Sequence, residues 1–210
     1  MTPDAARAAV RAERLRLADL LDDLSPSEWD QLSLCDAWSV HDVAAHLTTT
    51  TRETPWDVLR EVVRARFDFD RMTRDVARRL AATYSSAETV ARLRESADSD
   101  RRVVLSGPMD PLMDVVVHAQ DIARPLGRDY SSPTEVVVAC ATYLAGNRLM
   151  GGPARTRGLC LVASDADWSH GTGPAVHGPA EDLLLAVAGR PAGLAALTGD
   201  GLPQLAYRVS

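Results

Sequence analysis

The chain has no lysine. All 23 basic residues are arginine, and asparagine and isoleucine occur once each, as Asn147 and Ile122. Surface solvation does not demand such a bias, and the simplest cause is a GC-rich genome, which disfavours those codons. Cysteine is scarce as well: Cys35, Cys140 and Cys160 are odd in number, widely spaced, and form no C-x-x-C pair. That argues against a disulfide framework and a cysteine metal knuckle; any one of the three could serve as a nucleophile, but reduced structural cysteines are the expected reading. An excess of basic charge is also missing. The net charge of −6 excludes the basic footprint that a nucleic-acid or anionic-membrane partner needs. No apolar run is long enough to cross a bilayer. The N-terminus, with Asp4, Arg7, Arg11 and Glu13, lacks the apolar core of a signal peptide, so a cytoplasmic location is expected.

What is there is an ordinary globular composition. With 210 residues, 46% hydrophobic and 25% charged, the chain can bury a full core as one large domain or two small ones. Val10, Leu17, Leu20, Leu21 and Leu24 recur at helical spacing over residues 4–24, and Ser25-Pro26 stops that helix. A connector with Trp29, Leu34 and Trp38 follows. Ser39 and Asp42 then form a capping box for a helix reaching about Thr50. Residues 56–82, with Leu59, Val62, Val63, Phe67, Met72, Val76 and Leu80, read as one long helix or two, and Ser86 caps a shorter one to about Ser96. The charged stretch after Asp98 reads as a loop, although Val103-Val104-Leu105 adds an apolar patch. Asp110 as N-cap and Pro111 at the first helical position open a helix that Pro125 and Gly127 stop near Arg124.

After Tyr130 the texture changes. Ser132 to Glu135 reads as another capping box, opening a helix to about Leu149 that Gly151-Gly152-Pro153 breaks. Gly158 to Ala163 is β-like, and Trp168 and Val176 sit in short segments between glycines. Pro179 to Ala188 is a short apolar helix, and Leu205 to Val209 reads as a closing strand. The expected organisation is a helical bundle over 1–130 followed by a small α+β domain over 131–210: an α+β fold, mainly α.

The helix from Pro111 to Arg124 carries the chemistry. Asp114, His118 and Asp121 stand at i, i+4 and i+7, one stripe at 3.6 residues per turn, bordered by Val115, Val117 and Ile122. A carboxylate–imidazole–carboxylate row among apolar neighbours points inward, where ionisable groups are costly unless paired or metal-bound. Asp114 and His118 can be a helical ion pair, with Asp121 pairing Arg124. Equally, a carboxylate and an imidazole at i, i+4 can present two ligands to one metal ion, with a third from a facing helix. His170 and His177 lie in glycine-rich segments, which leaves His41 and His46. The helical wheel does not choose between them. His41, in the first turn beside Asp42, reads as exposed, and His46, deeper in the helix, is the better candidate.

The run from Leu34 to Leu47 resembles the "C-x-x-W-[ST]-x-x-D-[VL]-x-x-H-[LI]" signature of the mycothiol-dependent maleylpyruvate isomerase family. Val117 to Gly127 resembles its second signature, "H-x-x-D-[IL]-x-x-P-L-G". Trp168-Ser169-His170-Gly171 and the stretch from Gly178 to Arg190 are similar to that family's C-terminal region. The resemblance implies a DinB-like four-helix up-down bundle followed by a small α+β domain. It implies a divalent metal, zinc by expectation, held by His46, Asp114 and His118, with Asp121 orienting a ligand histidine. The family pattern has glutamate where this chain has Asp114; aspartate is one methylene shorter, so the metal would sit closer to the helix or be reached through water.

The resemblance further implies mycothiol as cosubstrate, the low-molecular-weight thiol of high-GC Gram-positive bacteria, bound by sulfur at the open fourth position. A thiol held there as thiolate can add to an activated alkene, permit rotation and leave, which is isomerisation, or displace a leaving group, which is transfer. The substrate class is then a small electrophile. Two other readings stand beside this one: a metallohydrolase using a metal-bound water on the same residues, and a non-enzymatic ligand-binding or stress protein on the same fold. Arg71 lies where a family helix borders the site, but a solvated helix face explains it. Trp38 and Trp29 fit either a pocket mouth or the bundle core. The sequence carries no signal of oligomeric state.

Overall fold

The computed structural model describes residues 1–49, 69–99 and 107–209. They divide into two compact units, Met1–Tyr130 and Ser131–Ser210. The fold is α+β and mainly α, with one three-stranded sheet among the described residues.

The first unit is helical. Its elements are α1 (Pro3–Asp22), the single turn α2 (Pro26–Trp29), α3 (Val40–Leu47), α4 (Phe69–Thr83), α5 (Ser86–Ser96) and α6 (Asp110–Ala123). Helix α1 packs on α5 and α6, and α3 packs on α4, α5 and α6. Between them Leu17, Leu21, Val43, Ala44, Leu93, Leu112, Val116 and Ile122 are excluded from solvent. Helix α1 also carries two buried polar anchors. Tyr130 donates to Glu13 Oε2 (2.8 Å), and the Arg14 guanidinium donates to the Ser96 carbonyl (2.7 Å) at the end of α5.

Local chemistry sets the ends of these helices. Ser39 and Asp42 form the expected reciprocal capping box at α3. At α5 the cap is Ser85 with Glu88, one residue before the expected Ser86, because only Ser85 places a glutamate at the third helical position. At α6 the expected N-cap is displaced: Met109 takes that place without a side-chain bond, and Asp110 instead accepts from the Gly107 amide (2.6 Å). The expected helix over 56–82 is described only from Phe69. Leu59, Val62, Val63 and Phe67, and the patch Val103-Val104-Leu105, lie outside the described residues.

The second unit joins α7 (Thr134–Gly146), α8 (Gly152–Thr156), β1 (Cys160–Ala163), β2 (Ser169–Gly171), β3 (Ala175–Gly178), α9 (Ala180–Val187), a 3-10 turn (Pro191–Ala196) and α10 (Leu202–Val209). The sheet order is β2-β1-β3, with Leu161 opposite His170 on the antiparallel side and Val176 on the parallel side. Helix α9 packs on α7 and on the sheet, burying Leu183, Leu184 and Leu185.

Three expectations change here. The last segment is a helix, not a strand. A strand would put Leu205, Tyr207 and Val209 on one face, whereas Leu205 and Val209 are buried and Tyr207 is 86% exposed, as a helix requires. Gly151-Gly152-Pro153 opens α8 rather than merely ending α7: Gly151 is left-handed at φ 77°, and a side chain on Gly152 would meet the Leu144 carbonyl. At α7 the cap position is Pro133, which makes no side-chain cap bond, so the capping box expected at Ser132 is not the device that starts this helix. Among the described residues no helix is long and apolar enough to cross a membrane.

Removing core volume between α1, α5 and α3 should be costly. Leu93→Ala is expected to lower the unfolding free energy in urea by about 2–5 kcal/mol, and Ser39→Ala, which removes the α3 cap, by about 1 kcal/mol.

Candidate metal centre

Helix α6 presents Asp114, His118 and Asp121 on one stripe, and α3 faces it with His46 in its last turn. Asp114 Oδ1 lies 3.4 Å from His118 Nε2 and 3.6 Å from His46 Nε2. The two imidazoles meet edge to face with centroids 5.2 Å apart, and Trp38 packs its ring edge to face against His46 at 5.7 Å. One ligand atom from each of His46, Asp114 and His118 falls within 4.8 Å of the others. The shorter aspartate therefore reaches both imidazoles.

Asp121 stands behind this trio. His118 Nδ1–H donates to Asp121 Oδ2 (2.8 Å), which leaves Nε2 directed at Asp114. Asp121 is fully buried, His118 and His46 are 14% and 16% exposed, and Asp114 is 26% exposed, so the site opens on the side of Asp114. The Cys35 thiol also donates to Asp121 Oδ2 (3.1 Å), and its sulfur lies 3.7 Å from His118 Nδ1.

The electrostatics follow from these contacts. Burial alone would raise the Asp114 carboxyl, but hydrogen bonds from His118 and His46 outweigh it and hold that group far below the usual carboxylate range. Burial likewise opposes charge on His118, yet its bonds to Asp114, Asp121 and Cys35 raise it well above an ordinary histidine. Burial lowers the Arg14 guanidinium on α1, while the Asp114 carboxylate opposes that shift, so a buried cation also feels the field of the site.

The structure thus brings together His46, Asp114, His118 and Asp121, and it separates His41 from them. His41 is half-buried rather than exposed: Nε2 pairs with Thr89 Oγ1 (3.1 Å), the ring packs against Trp29 at 5.1 Å, and burial pushes its pKa down. Trp29 belongs to the core beneath His41, whereas Trp38 borders the site. Arg71 is exposed on α4, 3.7 Å from Asp75 one turn on. Asp121 pairs with His118, and Arg124 Nε donates to Gln120 Oε1 (2.9 Å). Cys35 is the residue that spacing alone missed. It sits in a connector whose approach to α6 is set by tertiary packing, and its sequence signal is its place as the first residue of the C-x-x-W-[ST] motif in the run from Leu34 to Leu47.

Residues 10–108 match the family model described as the mycothiol maleylpyruvate isomerase N-terminal domain. That part of the chain is similar to this family. The matched residues include Cys35, Trp38 and His46 and stop short of Asp114. Two solved structures of a mycothiol-dependent maleylpyruvate isomerase, one of them a histidine-to-alanine mutant, are similar across both units. They share 16% identity, cover 95% of this chain and 93% of theirs, and superpose with TM-scores of 0.57 and, for the mutant, 0.58. At that identity the likeness shows a shared fold. No curated protein matches the sequence.

The shifts at Asp114 and His118 predict how the metal-free protein responds to pH. A raised His118 contributes stability that is fully present below about pH 6.5 and is lost as pH rises through its higher folded-state value. A depressed Asp114 contributes stability present above about pH 4 and lost as pH falls. Melting curves of chelator-treated protein should therefore show wild type losing its advantage over His118→Gln as pH rises above about 6.5. Parallel curves for the two proteins would refute the ion-pair geometry.

Proposed function

We propose that this protein is a metal-dependent, mycothiol-dependent isomerase or thiol transferase acting on a small electrophile. The observation that carries the reading is the convergence of His46 Nε2, Asp114 Oδ1 and His118 Nε2 from two helices, in a chain whose residues 10–108 match the mycothiol maleylpyruvate isomerase N-terminal domain family. Two imidazole nitrogens and one carboxylate oxygen are a donor set suited to zinc or a similar borderline divalent ion. The residues fit such an ion on a further ground: Asp121 already holds the Nδ1–H of His118, as a carboxylate does behind a ligating histidine. When bound, the ion would lower the pKa of a thiol from about 8.5 and keep it as thiolate at neutral pH.

The chain's own residues do the rest. His46, Asp114 and His118 would hold the ion, and a three-ligand site of this kind would leave room for a thiol; Asp114 is the most exposed of the three. Asp121 keeps His118 in one tautomer and adds negative charge behind it. Trp38 walls the His46 side with an apolar edge that restrains the ring and displaces water. No protein nucleophile is needed, because the cosubstrate brings its own sulfur. Cys140 is wholly buried, and Cys35 points its thiol at Asp121.

Elemental analysis tests the reading first. About one divalent ion per chain is expected in wild type, lost in both His46→Ala and His118→Ala. A panel of conjugated alkenes and other electrophiles should then turn over only with added mycothiol. Turnover of esters or amides with metal but without thiol would favour a metallohydrolase, and a wild type that binds no metal after reconstitution would leave a non-enzymatic binding protein. The proton on His118 also sets the pH dependence of loading. Since the ion must displace that proton, zinc affinity should rise by up to about tenfold per pH unit below the His118 value, with proton release visible by calorimetry in buffers of different ionisation enthalpy.

A further inference from the structure

We propose that Cys35 is a positioning residue for this centre: its thiol donates to Asp121 and, through that carboxylate, fixes His118 in the tautomer that presents Nε2 to Asp114 and His46. The inference deepens the reading above and rests on His46, Asp114 and His118 being the metal ligands.

Cys35, His118 and Asp121 form a second cluster whose potential ligand atoms also lie within 4.8 Å of one another, and the two clusters share His118. Cys35 is therefore either a ligand in a rival arrangement or a donor that supports the first. Two observations favour the donor. His118 Nδ1 and Asp121 Oδ2 stand at hydrogen-bond distance, 2.8 Å, with the thiol on the same oxygen at 3.1 Å, and an ion among the three would have to break both bonds. Asp121 is also fully buried, so a centre there would have no open position for a cosubstrate, whereas the His46–Asp114–His118 trio opens beside Asp114.

The connector is built to deliver that thiol. The Leu34 amide donates to the Asp121 carbonyl (3.0 Å), so residues 34 and 35 grip both the backbone and the side chain of Asp121. The Cys35 amide donates to Ser33 Oγ (3.1 Å), Ser33 Oγ donates to the Trp38 carbonyl (3.0 Å), and the Trp38 amide closes the turn on the Cys35 carbonyl (3.1 Å). Ala37 closes it at φ 59°, a left-handed conformation that a residue with a Cβ adopts at a cost, and Arg78 on α4 donates to its carbonyl (2.6 Å). The same turn sets Trp38 against His46. One strained turn thus orients a support for His118 on one side and a wall for His46 on the other.

A buried carboxylate oxygen that loses one of its donors is held less firmly in place. In Cys35→Ala, Asp121 should therefore hold His118 less firmly. Zinc affinity, measured by competition with a chromophoric chelator, is expected to fall about tenfold or more, the range for partners that orient metal ligands. Cys35→Ser, which keeps a donor, should recover most of that loss. The cobalt form of wild type should show no sulfur-to-cobalt charge-transfer band. In metal-free protein, the Nδ1–H proton of His118 should be protected from exchange in wild type and Cys35→Ser and exchange faster in Cys35→Ala. Should the alanine variant not fold, Cys35→Val fills the volume without a donor and serves the same comparison. Wild-type zinc affinity in Cys35→Ala with an unchanged His118 proton would overturn the inference, as would a sulfur–cobalt band abolished by the substitution, which would make Cys35 a ligand. A wild type that binds no metal defeats the metal reading alone, and the His118 proton still decides the role of Cys35.

Discussion

The bond between Asp121 and His118 is the constraint on which the rest of the first unit turns. A carboxylate with no solvent exposure is costly in a protein interior unless charge and hydrogen bonds compensate it. Here the compensation arrives from two directions, an imidazole three residues back on α6 and a thiol from the connector ahead of α3. Both donors meet one oxygen, so the register of α6 and the path of the connector cannot vary independently. Moving either would cost a fully buried carboxylate one of the hydrogen bonds that compensate it.

From that bond the site assembles outward. Helical spacing carries the stripe from Asp121 to His118 and on to Asp114, each step bringing the next group nearer the solvent-accessible side. The capping box at Ser39 fixes where α3 begins, and hence which of its two histidines reaches the last turn facing α6. Two carboxylates and two imidazoles then occupy one pocket, with the buried Arg14 guanidinium within the field of Asp114. In the absence of an ion, hydrogen bonds to Asp114, Asp121 and Cys35 favour the proton on His118, which is why His118 is raised, and bonds from the imidazoles hold Asp114 depressed. A divalent cation would supply positive charge in place of that proton.

Much of this was legible in the sequence, because local rules carry it. The Asp114–His118–Asp121 stripe needs only the helical period, and the α3 cap needs only Ser39 and Asp42. What could not be read was tertiary. The wheel left His41 and His46 equal, and only packing separates them, with Thr89 and Trp29 taking His41 and Trp38 and His118 flanking His46. Cys35 meets Asp121 across most of the unit, beyond any periodicity. The second unit shows the other limit: the alternation of Leu205, Tyr207 and Val209 fits a strand as well as a helix, and burial of two of the three decides the matter. Serine pairs and proline starts located helix ends to within a residue or two, but the residue that caps was fixed by which partner stood three positions on.

Asp114 shows how the side chain and the backbone share the work of such a site. Aspartate has one torsion fewer than glutamate, so fixing it costs less conformational entropy. The same economy shortens its reach, and the carboxylate must be delivered by the helix itself. Oδ1 nevertheless lies within 3.6 Å of both Nε2 atoms, which means that α3 and α6 approach closely enough here for a short arm to suffice. Ala44, Ala45, Ala119 and Ala123, buried along these two helices, are small enough to be compatible with such an approach. The small residues of the core and the short acid at the centre are then two expressions of one constraint. Lengthening the acid without widening the helix spacing would crowd the imidazoles it now bridges.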